Sequence, residues 1–180
     1  MAADSHEIRL GGLGGQGVIL AGVLLGQAAV NQGLFAAGSN SYGAQARGST
    51  CQAEVVVAAG AIDYPHVEAA DLLVAMSQGA YDAYRSQMAP DGVILYDSSL
   101  VTPDGEGRQF GLAVTETAVS ELNNKQVANV VWVGVAAGFT GWFDQQALER
   151  AVADNVPARF LELNRRALAR GLQMGRELRG

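Results

Sequence analysis

The amino-acid sequence predicts an α/β fold, a three-layer sandwich whose central sheet is mostly parallel, with a mixed sheet as the alternative. Segments with the patterning of strands alternate along the chain with segments of helix length, which is the order expected of such a fold. The chain has 180 residues, 49% of them hydrophobic and 17% charged. That composition suits a single domain over residues 1–180, and neither an internal repeat nor a linker divides it.

The first half of the chain supplies most of the predicted strands. Residues 51–59 alternate strictly between an apolar face and a face that carries Gln52 and Glu54, which is the period of a strand. The turn Pro90-Asp91-Gly92 leads into a short buried strand. The predicted strands are residues 8–13, 34–38, 51–59, 71–76 and 93–96, and the predicted helices in this half are residues 18–32, ended by Gly33, and 78–88.

The second half of the chain is predicted to be mainly helical. It begins with a loop over residues 99–109, which is rich in glycine, proline and aspartate. Residues 127–139 are apolar almost all round, so this helix is predicted to be buried in the core or against another subunit. The other predicted helices are residues 115–122, capped by Thr115, 145–153, capped by Asp144, and 158–178, with its arginines on the solvent side.

Charge and hydropathy exclude several classes of protein. A net charge of −6 without a cluster of basic residues argues against nucleic-acid binding. The N-terminal residues have neither the basic region nor the apolar run of a signal peptide. No apolar run approaches the roughly 20 residues that span a bilayer. We therefore expect a cytoplasmic protein that binds neither nucleic acid nor membrane.

The sequence predicts neither a catalytic residue nor a metal ligand. A single cysteine, Cys51, excludes an internal disulfide and an iron–sulfur cluster held by this chain alone. Its place in a strand beside small residues predicts a packed thiol rather than a nucleophile. His6 and His66 are too few and too far apart in sequence to predict a metal site.

The glycine-rich loop between the first strand and the first helix is the clearest chemical signal. Residues 12–17, GLGGQG, let backbone N–H groups and the helix N-terminus approach an anion, as in a Rossmann-like sheet. A nicotinamide site would need an acidic residue about 20 positions further on, but no Asp or Glu lies between Glu7 and Glu54. If the fold brings Arg47 near the glycine loop, the two together form a pocket that attracts anions. The equal alternative is that the glycines only allow the strand and the helix to pack tightly, without a ligand.

A second polar loop, SYGAQARG over residues 41–48, follows the second predicted strand. Together with GGLGGQGV at residues 11–18 and DSS at residues 97–99, it closely resembles the gamma subunit of 2-oxoacid:ferredoxin oxidoreductases, from about residue 8 into the last helix. The segment is most similar to the 2-oxoglutarate type, with pyruvate and indolepyruvate types as alternatives. The family often has a proline and an acidic residue where this chain has Ala44-Gln45-Ala46, and a second glycine where it has Ser49-Thr50. These two differences leave the substrate subtype open.

The resemblance implies a chain that completes an assembly. Such enzymes decarboxylate a 2-oxoacid on thiamine diphosphate with Mg²⁺, pass electrons through iron–sulfur clusters to ferredoxin or another acceptor, and form an acyl-coenzyme A. The sequence has no thiamine diphosphate motif and no set of cysteines. The resemblance therefore places those cofactors on partner alpha and beta subunits, with a delta or ferredoxin-like subunit as a further candidate partner.

Coenzyme A is the ligand that the resemblance implies for this chain, as a co-substrate over which the gamma domain closes. The predicted contacts are the glycine loop, a cation and the polar end of a strand. These residues are Gly14, Gly15, Gln16, Gly17, Arg47, Ser98 and Ser99. The same residues could instead dock the alpha subunit. A stand-alone coenzyme-A- or nucleotide-binding module and a purely structural subunit are the remaining hypotheses.

Overall fold

A six-stranded sheet and six α-helices make up the part of the chain that the structure, a computed structural model, describes: residues 5–43 and 50–180. The strands are β1 (Ser5–Leu13), β2 (Phe35–Tyr42), β3 (Thr50–Ala58), β4 (Ala70–Ala75), β5 (Met88–Asp97) and β6 (Arg108–Leu112). The helices are α1 (Val18–Asn31), α2 (Gln78–Tyr84), α3 (Val114–Ser120), α4 (Ala128–Thr140), α5 (Gln145–Asn155) and α6 (Leu161–Arg179).

The sheet is mixed, with the strand order β2-β3-β1-β4-β5-β6. Strand β3 runs antiparallel to both of its neighbours, β1 and β2. The pairs β1–β4, β4–β5 and β5–β6 are parallel. The predicted α/β class is therefore confirmed, and the sheet has the mixed form of the prediction because one antiparallel strand lies between β1 and β2.

Helices cover both faces of the sheet, but unequally. The side chains of β1 alternate: Ile8 and Leu10 face a large core that includes α1 and α3–α6, whereas Arg9 lies against Tyr84 of α2. A smaller core forms between α2 and the sheet around Leu73 and Tyr81. Helix α4 is buried along nearly its whole length, which confirms the prediction from its all-round apolar sequence. No helix in the described ranges is long and apolar enough to cross a membrane.

Helices α4 and α6 approach each other closely through glycines. Gly134 and Gly138 of α4 face Gly171 and Gly175 of α6. A Cβ added at any of these four positions would meet backbone atoms of the opposite helix at less than 3.0 Å. The two helix backbones can therefore lie this close only because glycine has no Cβ.

A buried ion pair joins neighbouring strands on the α2 side of the sheet. Arg9 and Glu54 are register partners on β1 and β3, and both side chains are almost fully buried. The Arg9 guanidinium donates to Glu54 Oε1 at 2.9 Å, to the Val67 carbonyl at 2.8 Å and to Gln87 at 2.9 Å. Ser39 of β2 donates to the other Glu54 oxygen at 2.8 Å. The pair thus connects three adjacent strands to the loop that precedes β4.

Two predicted elements in the middle of the chain end earlier than predicted. The predicted loop over residues 99–109 ends in strand β6, because the Tyr81 hydroxyl lies within hydrogen-bonding distance, 2.7 Å, of both Asp104 Oδ1 and Gln109 Oε1 and thereby fixes this segment on α2. The hydrogen bond from Tyr81 also holds the pKa of Asp104 well below its usual value. The helix predicted over residues 78–88 ends earlier, since β5 begins at Met88.

The turn predicted at residues 90–92 lies inside β5 as an irregularity of the strand. Ala70 pairs with Met88, but Leu72 already pairs with Val93, so extra residues of β5 bulge out between them.

Two capping predictions also need correction. Ala113, not Thr115, occupies the N-cap position of α3. Asp144 precedes α5 as predicted, but its side chain makes no capping hydrogen bond.

Candidate functional site

The carboxyl ends of the adjacent parallel strands β1 and β4 lie at the topological switch point of the sheet, where the connections that follow the two strands lead towards opposite edges. From β1 the chain passes through α1 to β2 at one edge, and from β4 it passes through α2 to β5 on the other side. Helices α1 and α2 lie on opposite faces of the sheet. In open α/β sheets a crevice opens at such a switch point, and ligands bind there. The glycine loop follows β1 at this point.

A cavity of about 140 Å³ lies beside the glycine loop. Among the described residues, its wall contains apolar groups, amides and one cation, but no carboxylate. The lining residues are Gly15, Gln16, Met76, Thr115, Lys125, Gln126, Ala128, Asn129 and Trp132. In a chain with a net charge of −6, a cavity with one lysine and no acidic residue is suited to an anionic ligand.

The Gln16 side chain holds the glycine loop in shape. Its Oε1 accepts a hydrogen bond from the Leu13 N–H at 2.6 Å, and its Nε2 donates to the Met76 carbonyl at 2.9 Å. Since Leu13 ends β1 and Met76 follows β4, this amide bridges the two strands at the switch point. Gln16 therefore organises the loop, and Gly15, with open space around its Cα, is its exposed tip.

Gly17 begins α1 in a position that only glycine suits. Its φ is 73°, in the left-handed region, and an added Cβ would overlap the Asn129 side chain. Asn129 in turn donates to the Gly17 carbonyl at 3.2 Å, which fixes the start of α1 on the start of α4. Within residues 5–43 and 50–180 no side chain caps α1, and the first turn of this helix has no acidic residue. The positive end of the helix dipole is thus left to act on a bound group.

Lys125 is the functional candidate that the sequence analysis missed. It lies in the short 3-10 turn before α4, whose N-terminus also faces the cavity. Its ammonium group forms no ion pair or hydrogen bond within residues 5–43 and 50–180. The signal in the sequence was its identity as the sole lysine, directly before the apolar helix. Arg47, the predicted cation, lies outside the described residues, so its prediction stays untested.

Ser98 and Ser99 lie at the same edge of the sheet but outside the wall of this cavity. Both are exposed, and Ser99 donates from its hydroxyl to Asp97 Oδ1 at 2.6 Å. The other Asp97 oxygen accepts from the N–H of Thr115, a cavity residue, at 2.9 Å. Asp97 is fully buried. It therefore connects the end of β5 to the start of α3 and sets the position of Thr115.

A larger cavity, of about 450 Å³, lies at the opposite edge of the sheet. Its wall mixes the basic residues Arg108 and Arg179 with the acidic residues Asp71 and Asp91. These charges balance, and the cavity lies at the amino ends of the strands rather than at their carboxyl ends. The smaller cavity beside the glycine loop is therefore the better candidate for a functional site.

Comparison with known proteins identifies the family. Residues 7–174 match the model of the pyruvate ferredoxin/flavodoxin oxidoreductase family. The chain belongs to this family. It is 38% identical to the 2-oxoglutarate synthase subunit KorC of Methanocaldococcus jannaschii, over 96% of this chain and 95% of that one. The fold matches the keto/oxoacid ferredoxin oxidoreductase gamma subunit of Geobacter sulfurreducens with a TM-score of 0.87 and 37% identity, over 97% and 98% of the two chains.

The predicted resemblance is thereby confirmed: the chain is a gamma-type subunit of the 2-oxoacid:ferredoxin oxidoreductases and is similar to KorC over nearly its full length. In other relatives the same domain is part of a longer chain. The ketoisovalerate oxidoreductase subunit VorA of Methanothermobacter thermautotrophicus is 32% identical over 95% of this chain, which spans 36% of VorA. The fold also matches part of a chain of the 2-oxoglutarate:ferredoxin oxidoreductase of Magnetococcus marinus, with a TM-score of 0.87 and 20% identity. The match covers 96% of this chain and 31% of that one. The Magnetococcus structure has 2-oxoglutarate, coenzyme A and succinyl-CoA bound.

For this gamma-type subunit, Asp97→Ala is expected to lower the free energy of unfolding by about 2 kcal/mol. The substitution leaves the N–H groups of Ser99 and Thr115 without the buried carboxylate that accepts from them. Urea unfolding followed by circular dichroism measures the change. Asp82→Ala removes a carboxylate from the exposed surface of α2 and should change stability by less than about 0.5 kcal/mol. Equal losses for the two variants would show that Asp97 does not organise this edge of the sheet.

Proposed function

We propose that the chain is the gamma subunit of a 2-oxoglutarate:ferredoxin oxidoreductase and that its glycine loop contacts coenzyme A. In the proposed reaction, 2-oxoglutarate and coenzyme A give succinyl-CoA, CO₂ and reduced ferredoxin. The observation that carries the proposal is the cavity without carboxylates at the switch point, where Lys125 and the N-termini of α1 and α4 meet beside the glycine loop. The higher identity to KorC than to VorA favours 2-oxoglutarate as the substrate.

Coenzyme A suits this site because its phosphates are anionic. Backbone N–H groups of Gly14, Gly15 and Gly17 and the N-terminus of α1 would bind a phosphate, and the Lys125 ammonium would add a charged contact, whereas the Gln16 N–H already donates to the Leu13 carbonyl at 3.0 Å. The Gln16 amide would act by holding the loop, since both ends of that amide are already hydrogen-bonded within the chain. Arg47, Ser98 and Ser99 remain proposed contacts for parts of the ligand outside this cavity.

The redox and decarboxylation cofactors are proposed to lie on partner subunits. Within the described ranges, no group of three or more His, Cys, Asp or Glu residues is arranged to hold a metal ion. Cys51 is buried, and burial raises the pKa of its thiol, which does not favour a thiolate ligand. Alpha and beta subunits would therefore hold thiamine diphosphate, Mg²⁺ and the clusters, with a delta or ferredoxin-like subunit as a further partner. A single reduced thiol is consistent with a cytoplasmic assembly.

The decisive experiment is to co-express the chain with the alpha and beta subunits from its own genome and to purify the assembly. The complex should reduce a viologen when supplied with both 2-oxoglutarate and coenzyme A, and only weakly with pyruvate or indolepyruvate. Preference for one of the other two oxoacids would reassign the subtype. If the chain purifies alone and binds coenzyme A tightly by itself, it is a stand-alone binding module.

Lys125→Ala is expected to raise the KM for coenzyme A about tenfold at low ionic strength while leaving kcat unchanged, because it removes a charged contact to a phosphate worth roughly 1.4 kcal/mol. Arg150→Ala, which removes an exposed cation from α5, is the matched control. Steady-state kinetics of the complex measure both. Because the chain has one lysine, mass spectrometry can also follow its acylation, from which coenzyme A should protect it. Assembly lost with kinetics unchanged would indicate a docking role instead.

A further inference from the structure

The surface formed by α1 and β2 has no charged residue. Residues 18–42, which contain both elements, include no Asp, Glu, Lys or Arg, although 17% of the whole chain is charged. Helix α1 is apolar on all sides, a composition typical of helices buried on all sides. The core covers only part of it, since Val23 and Val30 are exposed on its outer side. This face has the composition of an interface centre, from which charged residues are depleted.

Two apolar side chains of α1 line a shallow groove on this α1–β2 face. Val30 is 53% exposed and Val23 is 43% exposed. The groove has a volume of about 280 Å³, and its floor is formed mainly by small residues: Gly22, Gly26, Ala36, Ala37 and Gly38. Glu54, the one charged residue that the described part of the chain contributes to its wall, directs its carboxylate to Arg9 on the opposite face of the sheet. The groove therefore offers backbone and apolar contacts to an incoming segment.

The outer edge of β2 is unprotected in the described part of the chain. Strand β2 is the last strand on its side of the sheet, so one row of its N–H and C=O groups lacks a neighbouring strand. Soluble proteins usually protect such edges with charged residues, proline or short length. The opposite edge strand, β6, has five residues and begins with Arg108, whereas β2 has eight residues and neither a charge nor a proline. An extended segment could pair with β2 by strand addition.

We infer that the α1–β2 face binds an extended, apolar segment of the larger polypeptide in its own oxidoreductase complex. The lengths of the relatives identify this partner. In VorA and in the Magnetococcus protein, the counterpart of this chain is about a third of a longer polypeptide. In the KorC-type relative that portion is absent from the chain, so a separate subunit must be held by non-covalent contacts. This inference rests on the proposed function for the identity of the complex.

The test is co-purification of the chain with the large subunit from its own genome, followed by titration of the purified partners. Val30→Lys should raise the Kd of the complex at least tenfold, because it places an ammonium group where apolar contact is expected. The matched control is Val119→Lys, since Val119 is 50% exposed but lies on α3. It should change the Kd less than twofold. Hydrogen exchange of a peptide covering residues 35–42 should slow in the wild-type complex.

Each other outcome overturns a defined statement. If the wild-type chain does not bind the large subunit, the proposed function fails. If the complex forms but Val30→Lys and Val119→Lys behave alike and residues 35–42 gain no protection, the α1–β2 face is not the docking surface. If the isolated chain is a dimer by light scattering and Val30→Lys makes it monomeric, the occupant is a second copy of the chain. Circular dichroism confirms beforehand that both variants are folded.

Discussion

Gly171→Ala is expected to lower the free energy of unfolding by about 3 kcal/mol and the Tm by roughly 6–12 °C. A methyl group at this position of α6 would overlap the Val131 carbonyl and the Cα of Gly134 on α4. Both are backbone atoms of a buried helix, so no side-chain rotation can make room for it. The two helices must move apart, and the large core around Trp132 then loses contacts. Thermal and urea unfolding of the purified chain measure the loss.

Gly79→Ala is the control for this substitution. Gly79 lies within α2, its φ is not positive, and a Cβ added there would have no heavy atom of the described residues within 4 Å. Alanine has the higher helix propensity, so this variant should be as stable as the wild type or more stable by up to about 1 kcal/mol. A similar loss in both variants would show that the destabilisation of Gly171→Ala does not come from the close approach of α4 and α6.

Sequence patterning predicts those helices and strands whose own residues carry a clear helical or strand pattern. Strand β3 alternates, and α4 is apolar all round, so both were found. The close contact of α4 with α6 was missed, because the glycines of α6 have a meaning only beside those of α4. Strand β6 was missed for a similar reason. Its sequence, RQFGL, has no strong strand pattern, and its place depends on β5 and on the contacts of the Tyr81 hydroxyl with Asp104 and Gln109.

The candidate site shows the same limit. The glycine loop was predicted because its glycines are adjacent in sequence and lie between a strand and a helix. Lys125 and Asn129 were missed because more than 100 residues separate them from that loop, and only the fold of α4 over α1 brings them to it. Gln16 was predicted as a ligand contact from its position alone. Its hydrogen bond to Met76, which gives it an organising role, depends on the pairing of β1 with β4.

Glu54→Gln is expected to destabilise the protein at neutral pH by about 3 kcal/mol, because it leaves the buried Arg9 guanidinium without its counter-ion. Burial raises the pKa of Glu54, but hydrogen bonds from Ser39 and Arg9 and the charge of Arg9 outweigh it, so the pKa lies below its usual value. A lowered pKa in the folded state stabilises the protein above the pKa of the unfolded chain, about 4.3. This contribution is lost as the pH falls through the lower, folded value.

Urea unfolding of the wild type and of Glu54→Gln between pH 7 and pH 3 tests both parts of this prediction. The difference in unfolding free energy should be largest near pH 7 and should shrink as the pH falls below about 4.3, where Glu54 of the unfolded chain takes up a proton before the folded carboxylate does. The double variant with Arg9→Met and Glu54→Leu removes both charges and should recover at least half of the loss, since apolar residues of similar size often replace buried ion pairs without a penalty. If the double variant is less stable than Glu54→Gln, the bonds of Arg9 to Val67 and Gln87 stabilise the sheet more than its pairing with Glu54 does.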